Sequence, residues 1–370
     1  TMYNTAVGHF AGYAVTTGTH NTLIGGLAGD AITEASSNIA IGHSALGTNI
    51  LGSQNVAIGR SALATLNYGS ATNGYNVAIG PDAGAAMTTG LQNTLVGSLA
   101  GDALTDADFN VVMGTSTLSS DRKGNRAVAI GTYALFSQNF TSPTDNYNVA
   151  VGYSAGNLLT TGIQNTLIGG LAGDALQDAD RNVAIGYEAL SADDLGSRTI
   201  AVGVGAAGQQ NYASATDSHN VCIGDLAGFY NVTGISNTWL GSAAGVGASG
   251  QSNSHNTGIG HNAGLSVTTG AYNTVLGSLA GHEITTGQDN VLLGFVAGAH
   301  TTNLQTGDRN ILIGAYIDTP ATDTDDAIGL GYNIAATGGY TTVGINTSDI
   351  RAQHGVATWA TVSDERYKKD

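Results

Sequence analysis

The amino-acid sequence predicts an all-β fold, a parallel β-solenoid (β-roll or β-helix) built from coils of about 17 residues. The motif N-[TVI]-x-[IVLM]-G-x-x-A-[GL] opens 18 successive units within residues 4–318, and most of those units are 17 residues long. Such a unit is too short for a helical hairpin repeat. Its β-branched runs, such as NVAIG and NTLIG, are typical of short strands ended by glycine.

Two positions of the motif are nearly invariant along the chain. Glycine occupies the fifth position in all 18 units, from Gly8 to Gly314, and asparagine opens 16 of them. We expect the glycine at a turn that requires positive φ or close backbone approach. We expect the asparagine side chains to stack into a ladder of amides that satisfies backbone groups of the turns. Stacked strands lie about 4.8 Å apart, so the coils predict a rod of roughly 80 Å.

A longer period overlies the coils. Coils of 17, 17, 17 and 21 residues form a 72-residue block that occurs three times, at 4–75, 76–147 and 148–219. The ninth position is Gly in the first two coils of each block and mostly Leu in the last two. The chain is therefore divided into a repetitive shaft over 1–318, a neck or connector over 319–357, and a C-terminal segment over 358–370.

Alternation along the strands predicts two apolar faces. Positions two and four are mainly Val, Thr, Ile or Leu, and position three, on the opposite face, is mostly Ala, Leu or Val. Strands that are apolar on both faces are buried on both faces. A thin solenoid cannot bury both by itself, so we infer that one face fills the coil and the other meets neighbouring copies. A homotrimer is the simplest closed arrangement, and symmetry also allows a dimer.

Composition argues against several classes of partner. The formal charge is −16 and the eleven basic residues are scattered, so neither nucleic acid nor an anionic membrane is an expected partner. Membrane insertion is not expected, because no stretch approaches the roughly 20 apolar residues of a spanning helix. The single cysteine, Cys222, excludes an internal disulfide and is interpreted as a small buried hydrophobe.

No cofactor is expected. The nine histidines never form the close pairs typical of metal ligands. Acidic turns at 105–109, 177–181 and 322–327 offer oxygen ligands for Ca²⁺, but none has the full spacing of a known calcium loop. The favoured interpretation of these turns is that they are solvated and keep the protein soluble.

The 21-residue coils carry inserted loops with recurring aromatic positions. The loops are NYGSATNGY at 67–75, NFTSPTDNY at 139–147 and NYASATDSH at 211–219. Their second and last side chains are candidate surface contacts to glycans or to neighbouring fibres: Tyr68, Tyr75, Phe140, Tyr147, Tyr212 and His219. The alternative, which we favour, is that the loops are spacers whose rings lie back on the rod.

The repeats and the chain end both resemble known families. The NVAIG coils resemble the head repeats of trimeric autotransporter adhesins, which are left-handed parallel β-rolls assembled as trimers. Coil arrays that end in SDERYKKD resemble more closely phage tail-fibre proteins with a C-terminal intramolecular chaperone of the endosialidase type. That chaperone opens with S-D-x-R-x-K, which matches Ser363, Asp364, Arg366 and Lys368. The preceding TTVGINTSDIRAQ resembles the connector before that domain.

This resemblance implies a self-cleaving fibre. In that family the chaperone folds and trimerises the fibre and then cuts itself off between the serine and the aspartate. Ser363 would be the nucleophile, Lys368 its activating base, and Asp364 the residue after the scissile bond. A serine hydroxyl is weakly nucleophilic until a neighbouring base takes its proton. The alternative is a charged tail after a rod.

The predicted function is therefore structural and adhesive. The chain is interpreted as the homotrimeric shaft of a phage tail fibre or related virion appendage, located in the virion or on an extracellular surface. Expected partners are two further copies, other tail or virion proteins upstream, and a host surface glycan or receptor. No enzymatic activity is expected apart from the autoproteolysis. Two alternatives remain, a bacterial trimeric surface adhesin and a polysaccharide-degrading tailspike.

Overall fold

A computed structural model describes residues 2–356 and 359–361. The chain divides into two units, Thr1–Ala184 and Ile185–Asp370. Regular structure in the described residues consists of short β-strands, and none of them forms a helix able to span a membrane. The parallel β-solenoid of about 17-residue coils predicted from the repeats is thereby confirmed.

In the first unit, ten three-residue strands pair in parallel, each with its counterpart in the next coil. The register is that of the motif: Thr5 pairs with Thr22, and Leu23 with Ala40. Strands spaced about 4.8 Å apart give this unit a stack of roughly 45 Å. The ten strands are Thr5–Val7, Thr22–Ile24, Ile39–Ile41, Val56–Ile58, Val77–Ile79, Thr94–Val96, Val111–Met113, Val128–Ile130, Val149–Val151 and Thr166–Ile168. A further strand, Val183–Ile185, lies at the division between the units.

The second unit continues the same kind of coil. Its three-residue strands are Ile200–Val202, Val221–Ile223, Thr238–Leu240, Thr257–Ile259, Thr274–Leu276, Val291–Leu293 and Ile311–Ile313. Two longer strands, Ile328–Tyr332 and Tyr340–Ile345, also pair in parallel. Ser348–Gln353 and Trp359–Thr361 then pair antiparallel. Parallel stacking thus extends into the segment interpreted as a neck, and the pairing direction reverses after residue 345.

The inserted loops form a second, shorter ladder. In each block, two residues near the end of the third coil pair in parallel with two residues of the loop in the fourth coil. These pairs are Gly52–Ser53 with Thr72–Asn73, Gly124–Asn125 with Thr144–Asp145, and Gly196–Ser197 with Thr216–Asp217. The loops are therefore held against the coil by backbone hydrogen bonds.

Of the two apolar faces that the alternating pattern predicts, the one at position three of each strand points into the coil. Leu23, Ala40 and Ala57 are fully buried, whereas the side chains at positions two and four lie on the outer side. The core is composed mainly of alanine and leucine. One apolar face therefore fills the coil, and the other is left on the surface of the chain.

Complementary side-chain sizes inside the coil distinguish the second coil of each block from the third and fourth coils. Leu95, at position three, fills the space that side chains at Gly84 and Gly101 would take, since added Cβ atoms would lie 2.7 and 3.1 Å from its methyl groups. In the third and fourth coils of the first block, position three is alanine and the fully buried Leu46 and Leu63 occupy position nine. In these coils and in the second coil, one leucine fills the core from one of the two positions, as close packing requires.

The largest core side chain is Trp239, which is fully buried at position three. Glycines make room for it, because a Cβ at Gly245 or Gly258 would lie within 2.3 Å of the indole ring. Cys222, at the equivalent position of the paired strand, is buried as predicted. Burial raises the pKa of its thiol to about 12.

The asparagine column forms the predicted ladder. The Asn93 backbone N–H donates to Oδ1 of Asn76 over 2.9 Å, and its side-chain amide donates to the Ala107 carbonyl over 2.8 Å. Oδ1 of Asn93 in turn accepts the Asn110 backbone N–H over 2.9 Å. The side chain is fully buried. Each asparagine thus connects its own coil to the coils on both sides.

A buried Gln–Asp pair replaces the ladder amide where the motif lacks asparagine. At Ala127, the Gln138 carbonyl oxygen accepts from the Asn148 amide over 2.9 Å, and Gln138 donates to Asp121 over 2.6 Å. At Thr199, the Gln210 side-chain amide donates to the threonine hydroxyl and to the buried carboxylate of Asp193, each over 2.7 Å. Burial raises the pKa of Asp121, and the hydrogen bonds to its carboxylate oppose that rise.

The glycine column is required by conformation and by space. Gly97 has φ of +137°, and a Cβ there would lie 2.3 Å from the Gly114 carbonyl oxygen. The corner of one coil therefore rests directly on the backbone of the next. This contact confirms the close backbone approach predicted from the repeats.

We expect Gly97→Ala to destabilise the first unit by on the order of 3–5 kcal/mol, because its Cβ meets backbone that cannot move aside. The measurement is the urea midpoint of unfolding, with hydrogen exchange of the strand amides to localise the effect. Gly69→Ala is the control, since no atom lies within 4 Å of its added Cβ. Equal midpoints for the two variants would contradict the steric account.

We expect Asn93→Ala to destabilise the same unit by about 2–4 kcal/mol, because it leaves the Ala107 carbonyl and the Asn110 N–H buried without their partner. Amides of the two flanking coils should exchange faster than those of distant coils. Asn73→Ala is the matched control, since Asn73 lies on the surface. A loss of protection that is uniform along the unit would argue against a local ladder.

Candidate functional site

The predicted cleavage residues Ser363, Asp364 and Lys368 lie outside the described residues. The last described strand, Trp359–Thr361, pairs antiparallel with residues 350–352. The nucleophile and base predicted from the resemblance therefore stay predictions.

Three of the six candidate contact residues are core residues. Tyr68, Phe140 and Tyr212 are only 5, 6 and 3 % exposed. The Tyr68 hydroxyl donates to the Gly90 carbonyl over 2.8 Å and accepts from the Asn76 side chain over 2.9 Å. Burial raises the pKa of Tyr68 to about 12, although the hydrogen bond from Asn76 opposes the rise. These rings anchor the loops to the ladder and do not contact a partner at the surface.

The other three candidates are exposed and occupy the same position in their coils. Tyr75, Tyr147 and His219 each precede the first residue of the next coil, and each has φ of 51–52°. Flat side chains at this position stack within each unit. In the second unit the rings of His255 and Tyr272 lie 4.9 Å apart. In the first unit the Arg126 guanidinium lies 4.8 Å from the Phe109 ring and 5.9 Å from the Tyr147 ring.

The outer face of the strands is uncharged, mainly apolar and partly exposed. Its positions two and four contain only Thr, Val, Ile, Leu and Met across all 18 coils. Ile79 and Ile168 are 38 and 37 % exposed in the first unit, and Leu276 is 43 % exposed in the second. We call this set of side chains the outer strand face. Apolar surface that repeats from coil to coil within a unit is typical of interaction sites.

An aromatic cluster lines a shallow depression of about 290 Å³ in the second unit. Its lining residues are His300, Tyr316, Tyr332 and Asn333. Tyr316 is central, with the rings of Phe295, His300 and Tyr332 at 5.3, 4.8 and 5.7 Å. Sequence reasoning missed this cluster. Its signal was an aromatic residue one or two positions after the corner glycine in three successive coils.

A buried carboxylate holds the loop that carries His300. Asp318 is 5 % exposed and accepts backbone N–H bonds from residues 300, 301 and 302, the last over 2.8 Å. Its own backbone pairs with the next coil, where its N–H donates to Ile334. One wall of the depression is therefore tied to the strand stack.

The acidic turns proposed as calcium ligands act within the coils. Asp108 and Asp180 each accept a backbone N–H from the preceding coil, over 2.7 and 2.8 Å, at Leu91 and Ile163. Among the described residues, no group of three or more His, Cys, Asp or Glu side chains is placed to hold a metal ion. These carboxylates thus share the structural role that serine and asparagine hold in other coils.

Comparisons with known proteins found no match to any family model, to any curated protein or to any solved structure.

Proposed function

We propose that this chain is the structural and adhesive shaft of a homotrimeric fibre, in a phage tail fibre or a similar virion appendage. The observation that carries the proposal is the outer strand face, an uncharged apolar surface that recurs in every coil while the interior of each coil is already filled. Its location would be the virion or an extracellular surface. Its further partners would be upstream virion proteins and a host glycan or receptor.

The regularity of the outer strand face favours self-association. In-register pairing places the same side chains at every step of the stack, as where Ile39 pairs with Val56 and Ile41 with Ile58. A copy of the chain related by rotation about the stack axis presents the same repeat at the same height. Closed rotational symmetry then buries the face on every copy, and three copies do so around a common axis.

We expect the double variant Ile79→Asp, Ile168→Asp to be monomeric where the wild type is trimeric. Two carboxylates per chain would have to be buried without cationic partners, which opposes association strongly. The measurement is native mass spectrometry combined with light scattering. The unfolding midpoint of the separated chain should change little, since both side chains are already partly exposed.

The matched control is Ile50→Asp, Leu158→Asp, which adds the same charge. Ile50 and Leu158 are 39 and 47 % exposed but lie outside the strand column. This control should remain trimeric. A monomeric wild type, or equal loss of assembly in both double variants, would overturn the proposed role of the outer strand face.

Self-cleavage at Ser363 is the second part of the proposal. It rests on the S-D-x-R-x-K motif and its place after a fibre repeat. Attack by the Ser363 hydroxyl of one copy on the Ser363 carbonyl of a neighbouring copy in the trimer would form an ester and release the Asp364 amine, which takes up the proton that Lys368 removed from the hydroxyl. Water would then hydrolyse the ester. A lysine that is neutral in a desolvated setting can take the hydroxyl proton.

Denatured mass spectrometry of the full-length gene product tests the cleavage. We expect wild-type chains to end at Ser363 and the Ser363→Ala and Lys368→Ala variants to stay intact. Lys369→Ala is the control for charge and should be cut like the wild type. Intact wild-type chains, or cleavage that survives Ser363→Ala, would exclude the proposed self-cleavage.

A further inference from the structure

We propose that the aromatic depression around Tyr316 binds a neutral oligosaccharide. This inference deepens the adhesive part of the proposed function and rests on it for its biological role only. The site is built within one unit of one chain, from side chains of three successive coils. Pockets with aromatic walls and a few convergent polar groups are the usual form of small-ligand sites.

The ring arrangement supplies apolar walls at fixed angles. The Tyr316 plane is inclined by 87° to both Phe295 and Tyr332 and by 64° to His300. Such edge-to-face pairs stabilise one another and leave ring faces for a further molecule. Phe295 and Tyr332 are 43 and 46 % exposed, so their rings are accessible. The C–H face of a sugar ring is flat and apolar and can pack on these rings.

Polar groups at the rim can bind the hydroxyls of the same sugar. The Asn333 side-chain amide donates to Oδ1 of Asn346 over 2.9 Å, which orients it at the edge of the depression. Within the described residues, that bond leaves the Asn333 carbonyl oxygen and its second amide hydrogen for a ligand. The phenol groups of Tyr316 and Tyr332 add donors and acceptors. A sugar needs this combination, since its ring faces are apolar and its edges are polar.

The lining favours a neutral saccharide over an anionic one. Neither arginine nor lysine lines the depression, so a carboxylated or sulfated sugar would lack the charged fork that usually binds such groups. A β-linked hexose chain, whose equatorial substituents leave both ring faces apolar, fits the walls and the rim together.

The anchoring of the walls predicts little rearrangement on binding. Asp318 fixes the backbone that carries His300. Tyr316 and Asn333 are both held at positive φ, at 55 and 50°. Their backbone N–H groups donate to Phe295 and Ala315 in the coil before. A pre-formed site avoids much of the ordering penalty of binding.

Saturation-transfer NMR and calorimetry on this 370-residue chain test the proposal, with cellotriose and chitotriose as neutral probes and sialyllactose as the anionic contrast. We expect at least one neutral trisaccharide to bind more tightly than sialyllactose. Tyr332→Ala should weaken that binding by about tenfold or more, as loss of an aromatic anchor does. Tyr13→Ala, which removes an aromatic ring that is 74 % exposed in the first unit, should change affinity less than about twofold.

Three outcomes would overturn the proposal: no transfer to either neutral probe, tighter binding of sialyllactose, or equal effects of the two variants. Thermal unfolding of each variant shows whether the fold is retained. The oligomeric mass of the same samples is measured separately. A trimer that binds no sugar would refute this site while leaving the fibre proposal standing, and a monomer that binds sugar would do the reverse.

Discussion

In-register stacking of the buried asparagines is the constraint on which the fold depends. Each ladder amide satisfies backbone groups of its own coil and of the next, as Asn93 does with Asn76 and Ala107. A shift of register by one residue would bury these backbone groups without partners and turn the core side chains outward. The glycine corner obeys the same register, because each corner contacts the backbone of the following one. The period of the sequence repeat is therefore fixed by the number of residues in one coil.

The ladder also offsets local backbone strain. The residue before each ladder asparagine is left-handed, as at His20 and Tyr75, and so are the buried leucines of the third and fourth coils, such as Leu46. Each such residue costs roughly 1–2 kcal/mol relative to right-handed backbone. A core made mainly of alanine and leucine buries little apolar surface in each coil. Hydrogen bonds that repeat at every step keep these strained turns populated, which is why the rare coils without asparagine recruit Gln138 or Gln210 in its place.

Coil period, strand positions, ladder and glycine corners follow directly from the sequence, since repetition tests each inference many times. The sequence does not show which loop aromatics are buried. Tyr68 and Tyr75 share one loop and similar chemistry, yet backbone pairing buries the first ring and exposes the second. The cluster around Tyr316 has no internal repeat, so only three-dimensional stacking brings its rings together. Nothing in the strand pattern alone distinguishes which apolar face fills the coil. Packing makes the distinction, because a large side chain at position three, such as Trp239, lies against glycines inside the coil.

The seam between the first two blocks is chemically the same as a seam inside one. Asn76 opens the second block and donates its backbone N–H to Asn55 of the first, as Asn93 does to Asn76 within the block. A gene rearrangement that deletes or duplicates one 72-residue block would therefore join two surfaces that already fit. Each such event changes the stack by four strand spacings, roughly 19 Å, and leaves its cross-section intact. Length in this protein can evolve in discrete steps without a new interface at any step.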